Sequence, residues 1–139
     1  MLLPTLPDAI DDNRVRIGCD VLSVHDVADS LSMFGDRYLR KVFTAGEIDD
    51  CQGRDVHGLA ARFAAKEAVI KAFADPDMPF PLREIEIIRD GPVPRLRLSG
   101  SLAERAQHQG WLSTSVSLSH ADCHAMAVVV VACGGRAWR

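Results

Sequence analysis

Two carboxylates, Asp20 and Glu67, could share a hard cation if the fold brings them together. Mg2+ takes oxygen ligands and is usually held by one or two carboxylates plus substrate phosphates and water. Spacing alone does not unite them, and each has an ordinary alternative. Asp20 could be a plain strand-end aspartate, and Glu67 the i,i+4 partner of Lys71, a pair worth roughly 0.2–0.5 kcal/mol. The cations Arg62, Lys66 and Lys71 would suit a polyanionic ligand, or would satisfy buried acids or carry their charged ends to water. His120 could touch a phosphate, carry a proton, or simply end a strand. With Cys123 and His124 it hints at a transition metal, but no third and fourth ligand stands at zinc-type spacing, and Ala125 to Ala132 reads as a buried strand.

Positioning these side chains falls to elements that the spacing predicts. Val15, Ile17, Cys19 and Val21 alternate with Arg16, Gly18, Asp20 and Leu22, so Arg14 to Leu22 is expected as a strand with Asp20 on the face opposite the first set. Helical spacing covers Val24 to Phe34 and Arg37 to Phe43, with Gly35 as a break. Thr44-Ala-Gly-Glu47 has the form of a capping box opening a short helix towards Cys51. The longest helix is expected from His57 to Ala74, Ala-rich and free of Gly and Pro after Gly58. On a wheel of roughly 100° per residue, Arg62 and Lys66 fall inside the arc of about 120° that holds Leu59, Phe63, Val69, Ile70 and Phe73. Alanine covers most of the remainder, so nearly every side of this helix can be packed. A dehydrated, unpaired cation costs several kcal/mol, so Arg62 and Lys66 need an anion, either protein carboxylate or ligand phosphate.

The C-terminal half alternates again. Ile85 and Ile87, then Leu96 and Leu98, predict antiparallel strands joined at Asp90-Gly91-Pro92. A helix is expected over Ser101 to Gln109, and Ser113 to Ser119 reads as a strand with serines on one face and Val116 and Leu118 on the other. The order is that of an α+β domain, a mostly antiparallel sheet packed on a long central helix.

Composition narrows the function classes. The 139 residues are 47% hydrophobic and 25% charged, as for a single domain over 1–139, with 1–13 as an N-terminal extension. A net charge of -3 and the lack of an aromatic platform beside the basic residues argue against nucleic acid as a partner. The longest apolar run, Ala125 to Cys133, is less than half of a bilayer span, so no membrane partner is expected. The opening Met1 to Asp8, with prolines and an acid, reads as a mature cytosolic N-terminus, and a cytoplasmic location is expected. Cys19, Cys51, Cys123 and Cys133 form no CxxC pair and are expected as free thiols.

The motifs carry more in combination. Ile17-Gly-Cys-Asp20, Arg37 to Phe43 followed by Thr44-x-x-Glu47, Ala61-Arg-Phe-Ala-Ala-Lys-Glu67-Ala-x-x-Lys71-Ala, and Val116-Ser-Leu-Ser-His120 occur in this order over about Val15 to Val131. Together they resemble the holo-acyl-carrier-protein synthase family, the small 4′-phosphopantetheinyl transferases. The resemblance implies Mg2+-dependent transfer of the 4′-phosphopantetheine arm from coenzyme A to a serine of an apo acyl carrier protein, releasing adenosine 3′,5′-bisphosphate, as in fatty acid or polyketide pathways. It implies Asp20 and Glu67 as metal ligands, Asp20, Glu67 and Lys71 as the catalytic set, and Arg54, Arg62, Lys66, Lys71 and His120 around the coenzyme A phosphates. Glu67 or a water on the metal would accept the serine proton. It also implies a homotrimer with active sites between subunits.

Departures from the family pattern concentrate at the carrier surface. The helix after the Gly-x-Asp strand reads His25-Asp-Val-Ala-Asp29, with Asp26 where the family is usually basic, while Arg37, Arg40 and Lys41 keep a basic cluster further on. A less acidic carrier meeting that cluster is therefore expected. Gly91-Pro-Val-Pro94 replaces the usual Gly-Lys-Pro, and Ala121 stands where some members are polar. The alternative function is a non-catalytic coenzyme A or nucleotide-binding oligomer, against which the presence of both Asp20 and Glu67 argues.

Overall fold

A computed structural model describes residues 14–134. The elements run β1 (Val15–Ser23), α1 (Val24–Phe34), α2 (Asp36–Val42), α3 (Ala45–Asp50), α4 (Val56–Phe73), a 3₁₀ turn (Leu82–Glu84), β2 (Ile85–Asp90), β3 (Val93–Leu98), α5 (Gly100–His108), β4 (Trp111–His120) and β5 (His124–Cys133). The α+β architecture is the one expected, with every strand pairing antiparallel. The strands divide between two sheets, β1-β5-β4 and the β2-β3 hairpin. The N-terminal extension over 1–13 lies outside the described residues.

Helix α4 is the axis of the molecule, and it packs across β1 and β5. Asp55 caps its start by accepting from the Gly58 N–H at 3.1 Å. At its end, Arg16 donates to the Ala72 and Phe73 carbonyls at 3.2 and 3.1 Å, and Gln109 donates to Phe73 at 3.1 Å. These bonds satisfy carbonyls that a helix terminus leaves without an internal partner. One side of the helix joins Ile85, Ile87, Leu102 and the inward residues of β5 in a core, and the start of the helix joins α1, α2 and Phe43 in another.

The capping box of Thr44 and Glu47 forms as its spacing predicts. Strand β1, however, presents its polar set to the helix and turns its apolar set away. Gly18 is buried and Asp20 half-buried, whereas Ile17 is 66% exposed and Val21 61%. Gly18 explains the close approach: a methyl group there would overlap the Ala68 carbonyl oxygen on α4. The residue two before Asp20 thus lets the strand lie directly on the helix that carries Glu67.

Candidate active site

Asp20 and Glu67, 47 positions apart in the chain, line one cleft of about 310 Å³ with Leu22, Asp26, Val27, Ser30, Tyr38 and Phe63. Glu67 holds its proton more tightly than an ordinary glutamate, because partial burial disfavours its charge and the Asp20 carboxylate repels it, while Lys71 partly offsets both. Lys71, one turn beyond Glu67, donates to Asp20 Oδ1 at 3.0 Å and to the Cys19 carbonyl at 2.9 Å, and its side chain is exposed. The three residues expected to carry the chemistry are brought together. Burial pushes the Tyr38 phenol, on the wall of the same cleft, up to about 12, so it stays protonated at neutral pH.

The donor set suits a hard cation that completes its shell from elsewhere. Among the described residues no group of three or more His, Cys, Asp or Glu is arranged to hold a metal by itself. Two adjacent carboxylates, one of them destabilised as an anion by the other, match Mg2+ taking its remaining ligands from phosphate and water. The four cysteines are free, and burial pushes the Cys51 thiol up to about 11, which removes it as a nucleophile at neutral pH.

The expected phosphate contacts divide. Arg62 is buried, donating from Nε to Ile87 O at 3.0 Å, from Nη1 to Gly58 O at 3.2 Å and from Nη2 to Asp50 Oδ2 at 3.3 Å. Arg62 also lines a groove of about 370 Å³ with Arg89, the hairpin residues Gly91 to Pro94, and Val116 to Leu118. His120 ends β4 two residues beyond Leu118, whose strand register aligns it through Ala127 with Asp20. That register puts the α-carbons of His120 and Asp20 roughly 12 Å apart on the helix-facing side of the sheet. Arg54 is exposed on the α3–α4 connection, 3.5 Å from Gln52, and no contact ties it to the other candidates.

Lys66 is a correction. Its ammonium has no exposed surface and spends its donors on Glu47 Oε1 at 2.7 Å, on the Leu82 carbonyl at 2.9 Å and on the Ile85 carbonyl. The anion it needs is a protein carboxylate, not a ligand phosphate. Burial lowers its pKa and the Glu47 charge works against that shift. Glu47, also fully buried, accepts from Thr44 N at 2.9 Å and Ile87 N at 2.8 Å. The capping-box spacing revealed Glu47 only as a helix cap.

His57 was not singled out by spacing. Its ring lies 5.1 Å from that of His120, and its Nε2 is 3.2 Å from the Asp122 carbonyl, so it braces the β4–β5 turn. Nothing in the local sequence signals this contact between residues 63 positions apart.

The model of the 4′-phosphopantetheinyl transferase superfamily matches residues 16–129. A holo-[acyl-carrier-protein] synthase of Ruminiclostridium cellulolyticum is 38% identical over 126 residues, covering 87% of this chain and 94% of its own. One of Chloroflexus aurantiacus is 40% identical over 133 residues, covering 84% of this chain and 97% of its own. Among solved structures, the Helicobacter pylori holo-[acyl-carrier-protein] synthase in complex with coenzyme A superposes with a TM-score of 0.72 at 29% identity, covering 84% of this chain and 99% of that one.

Proposed function

The chain belongs to the 4′-phosphopantetheinyl transferase superfamily, among the holo-[acyl-carrier-protein] synthases, and from that premise we propose that it moves the 4′-phosphopantetheine group of coenzyme A onto a serine of an apo acyl carrier protein, with Mg2+ as cofactor and adenosine 3′,5′-bisphosphate as the second product. The observation that carries the proposal is the meeting of Asp20 and Glu67 in one cleft, with Lys71 one helical turn away. A protein that only bound coenzyme A would need the cations more than this pair of carboxylates. The reaction is proposed to take place in the cytoplasm, within one domain.

In this reaction the serine oxygen bonds to the phosphorus that bears the pantetheine arm, and the bond from that phosphorus to the bridging oxygen of the diphosphate breaks. Phosphoryl transfer of this kind asks chiefly for alignment and charge neutralisation. Asp20 and Glu67 would hold Mg2+, which would supply positive charge to the diphosphate. Lys71, exposed beside Asp20, turns to the leaving phosphate as charge builds there. Arg62 and Arg89 line the groove proposed for the adenosine 3′-phosphate end, and His120, two residues beyond Leu118 of that groove, is proposed to meet the phosphates. Glu67, whose proton affinity is raised, or a water accepts the serine proton.

A homotrimer with active sites between subunits is part of the proposal. It is supported by the face that β1 and β5 turn away from α4, where Val15, Ile17, Val21, Met126 and Val130 are exposed together. A contiguous apolar surface of this kind marks an interface.

The test incubates the protein with coenzyme A, Mg2+ and a panel of apo carrier proteins and reads intact carrier mass. A phosphopantetheinyl gain is expected, lost with EDTA and lost in the Asp20→Ala/Glu67→Ala variant. Coenzyme A binding without a gain on any carrier would instead support the non-catalytic binder.

A further inference from the structure

The turn between β4 and β5 begins at His120, and hydrogen bonds fix it both from within and from two helices. Inside the turn, the Ala121 N–H donates to the His124 carbonyl at 2.8 Å. From α1, the N–H of its first residue, Val24, donates to the Cys123 carbonyl at 2.9 Å. From α4, the Nε2 of His57 lies 3.2 Å from the Asp122 carbonyl. A carbonyl only accepts, so this ring bonds to it with a hydrogen on Nε2. The first two bonds use backbone groups, which almost any residue supplies. The third depends on the side chain at position 57.

His57 is the second residue of α4, and the Asp55 cap on the Gly58 N–H fixes the helical turn from which it projects. Its half-buried ring packs against that of exposed His120, with centroids 5.1 Å apart and planes inclined by 47°. His120 makes no side-chain hydrogen bond or ion pair among the described residues, so packing is what orients it. A ring free to turn loses rotamer entropy when it closes on a ligand, and one already held in place is spared that cost.

We infer that His57 is a positioning residue for coenzyme A: it tethers the β4–β5 turn and holds the His120 ring where that ring meets the ligand phosphates. The inference rests on the transferase reading and on the phosphate contact proposed there for His120, and it adds a residue that acts through another. The contact lies within one chain, so it works in the same way whichever subunit's cleft His120 serves.

The test is a double-mutant cycle of His57→Ala and His120→Ala. It reads the Kd of coenzyme A by titration calorimetry, and the KM of coenzyme A and of an apo acyl carrier protein in the presence of Mg2+. His57→Ala is expected to weaken coenzyme A binding about three- to tenfold, the worth of one hydrogen bond, and to leave the carrier KM unchanged. With His120→Ala already present, the same substitution is expected to change the Kd by less than about twofold, because the residue it acts through is gone. His57→Gln, which keeps an N–H donor for the Asp122 carbonyl, is expected to recover most of the affinity. Melting temperatures report that each variant is folded. A loss of equal size with and without the His120 ring would overturn the inference, as would no loss on His57→Ala or on His120→Ala. Wild-type protein that binds coenzyme A yet transfers to no carrier would instead overturn the transferase reading, and the cycle in Kd would still decide the role of His57.

Discussion

Glu67 sits where its own charge is unfavourable, which fits the proposed role in chemistry better than a role in stability. Burial and the Asp20 carboxylate raise its pKa above the usual value of 4.5, so the folded protein binds its proton more tightly than the unfolded chain does. The unfolded state then loses this proton first as pH rises, and stability falls between the ordinary and the raised value. Glu67→Gln is therefore expected to raise the melting temperature of metal-free protein at pH 7 to 8, with the difference shrinking near pH 4, and to abolish transfer. Melting curves in EDTA across that range check it, and a variant less stable than wild type at neutral pH would contradict it. That Asp20, Glu67 and Lys71 are candidates was legible because two motifs single them out, and the fold brings the three together. The partner of Lys66 was not: a cation in an apolar stripe demands an anion, but its identity depends on which element packs there.

That packing is an affair of elements. The buried Lys66–Glu47 pair ties α4 to α3, and the Glu47 bond to Ile87 N adds β2 to the junction. Removing one member leaves the other charge buried alone. Lys66→Met is expected to cost about 3–5 kcal/mol in chemical denaturation, and Glu47→Gln in the same background to recover part of it. Gln keeps one acceptor oxygen, for either the Thr44 or the Ile87 N–H, without the stranded charge, so the recovery is partial. Gly18 acts at the β1–α4 contact. Gly18→Ala must push strand from helix, at a cost of about 1–3 kcal/mol, and it displaces Asp20 from Glu67 at the same time. Transfer activity at a temperature where the variant is fully folded is expected to drop more steeply than stability. The hydrophobic pattern predicted where β1 runs, but not that its apolar face would turn outward. Alternation distinguishes two faces without saying which one meets the helix.

At the scale of the whole molecule, the outward face of β1 and β5 has apolar rows such as Ile17 beside Val130 and Val21 beside Met126, bordered by Ser115 and Ser119 of β4. Ile17 is 66% exposed and Val130 41% in the single chain. If three copies cover this face, Ile17→Lys is expected to shift sedimentation from trimer to monomer and, with the sites between subunits as proposed, to take activity with it. A wild-type protein that sediments as a monomer would remove the interfacial site from the proposal. Among the described residues no helix is long and apolar enough to cross a membrane.

By itself the sequence determined the elements, their order, the capping box and the candidates Asp20, Glu67 and Lys71, since local periodicity and short motifs depend only on neighbours along the chain. Tertiary structure alone decided that Lys66 answers Glu47 and that Arg40 shares a depression with Arg83, apart from Arg37 and Lys41. It also decided that His57 meets His120. Each of these is a contact between side chains distant in sequence. Burial and charge say that such a side chain needs a partner, and only the packing of one element on another selects which partner it finds.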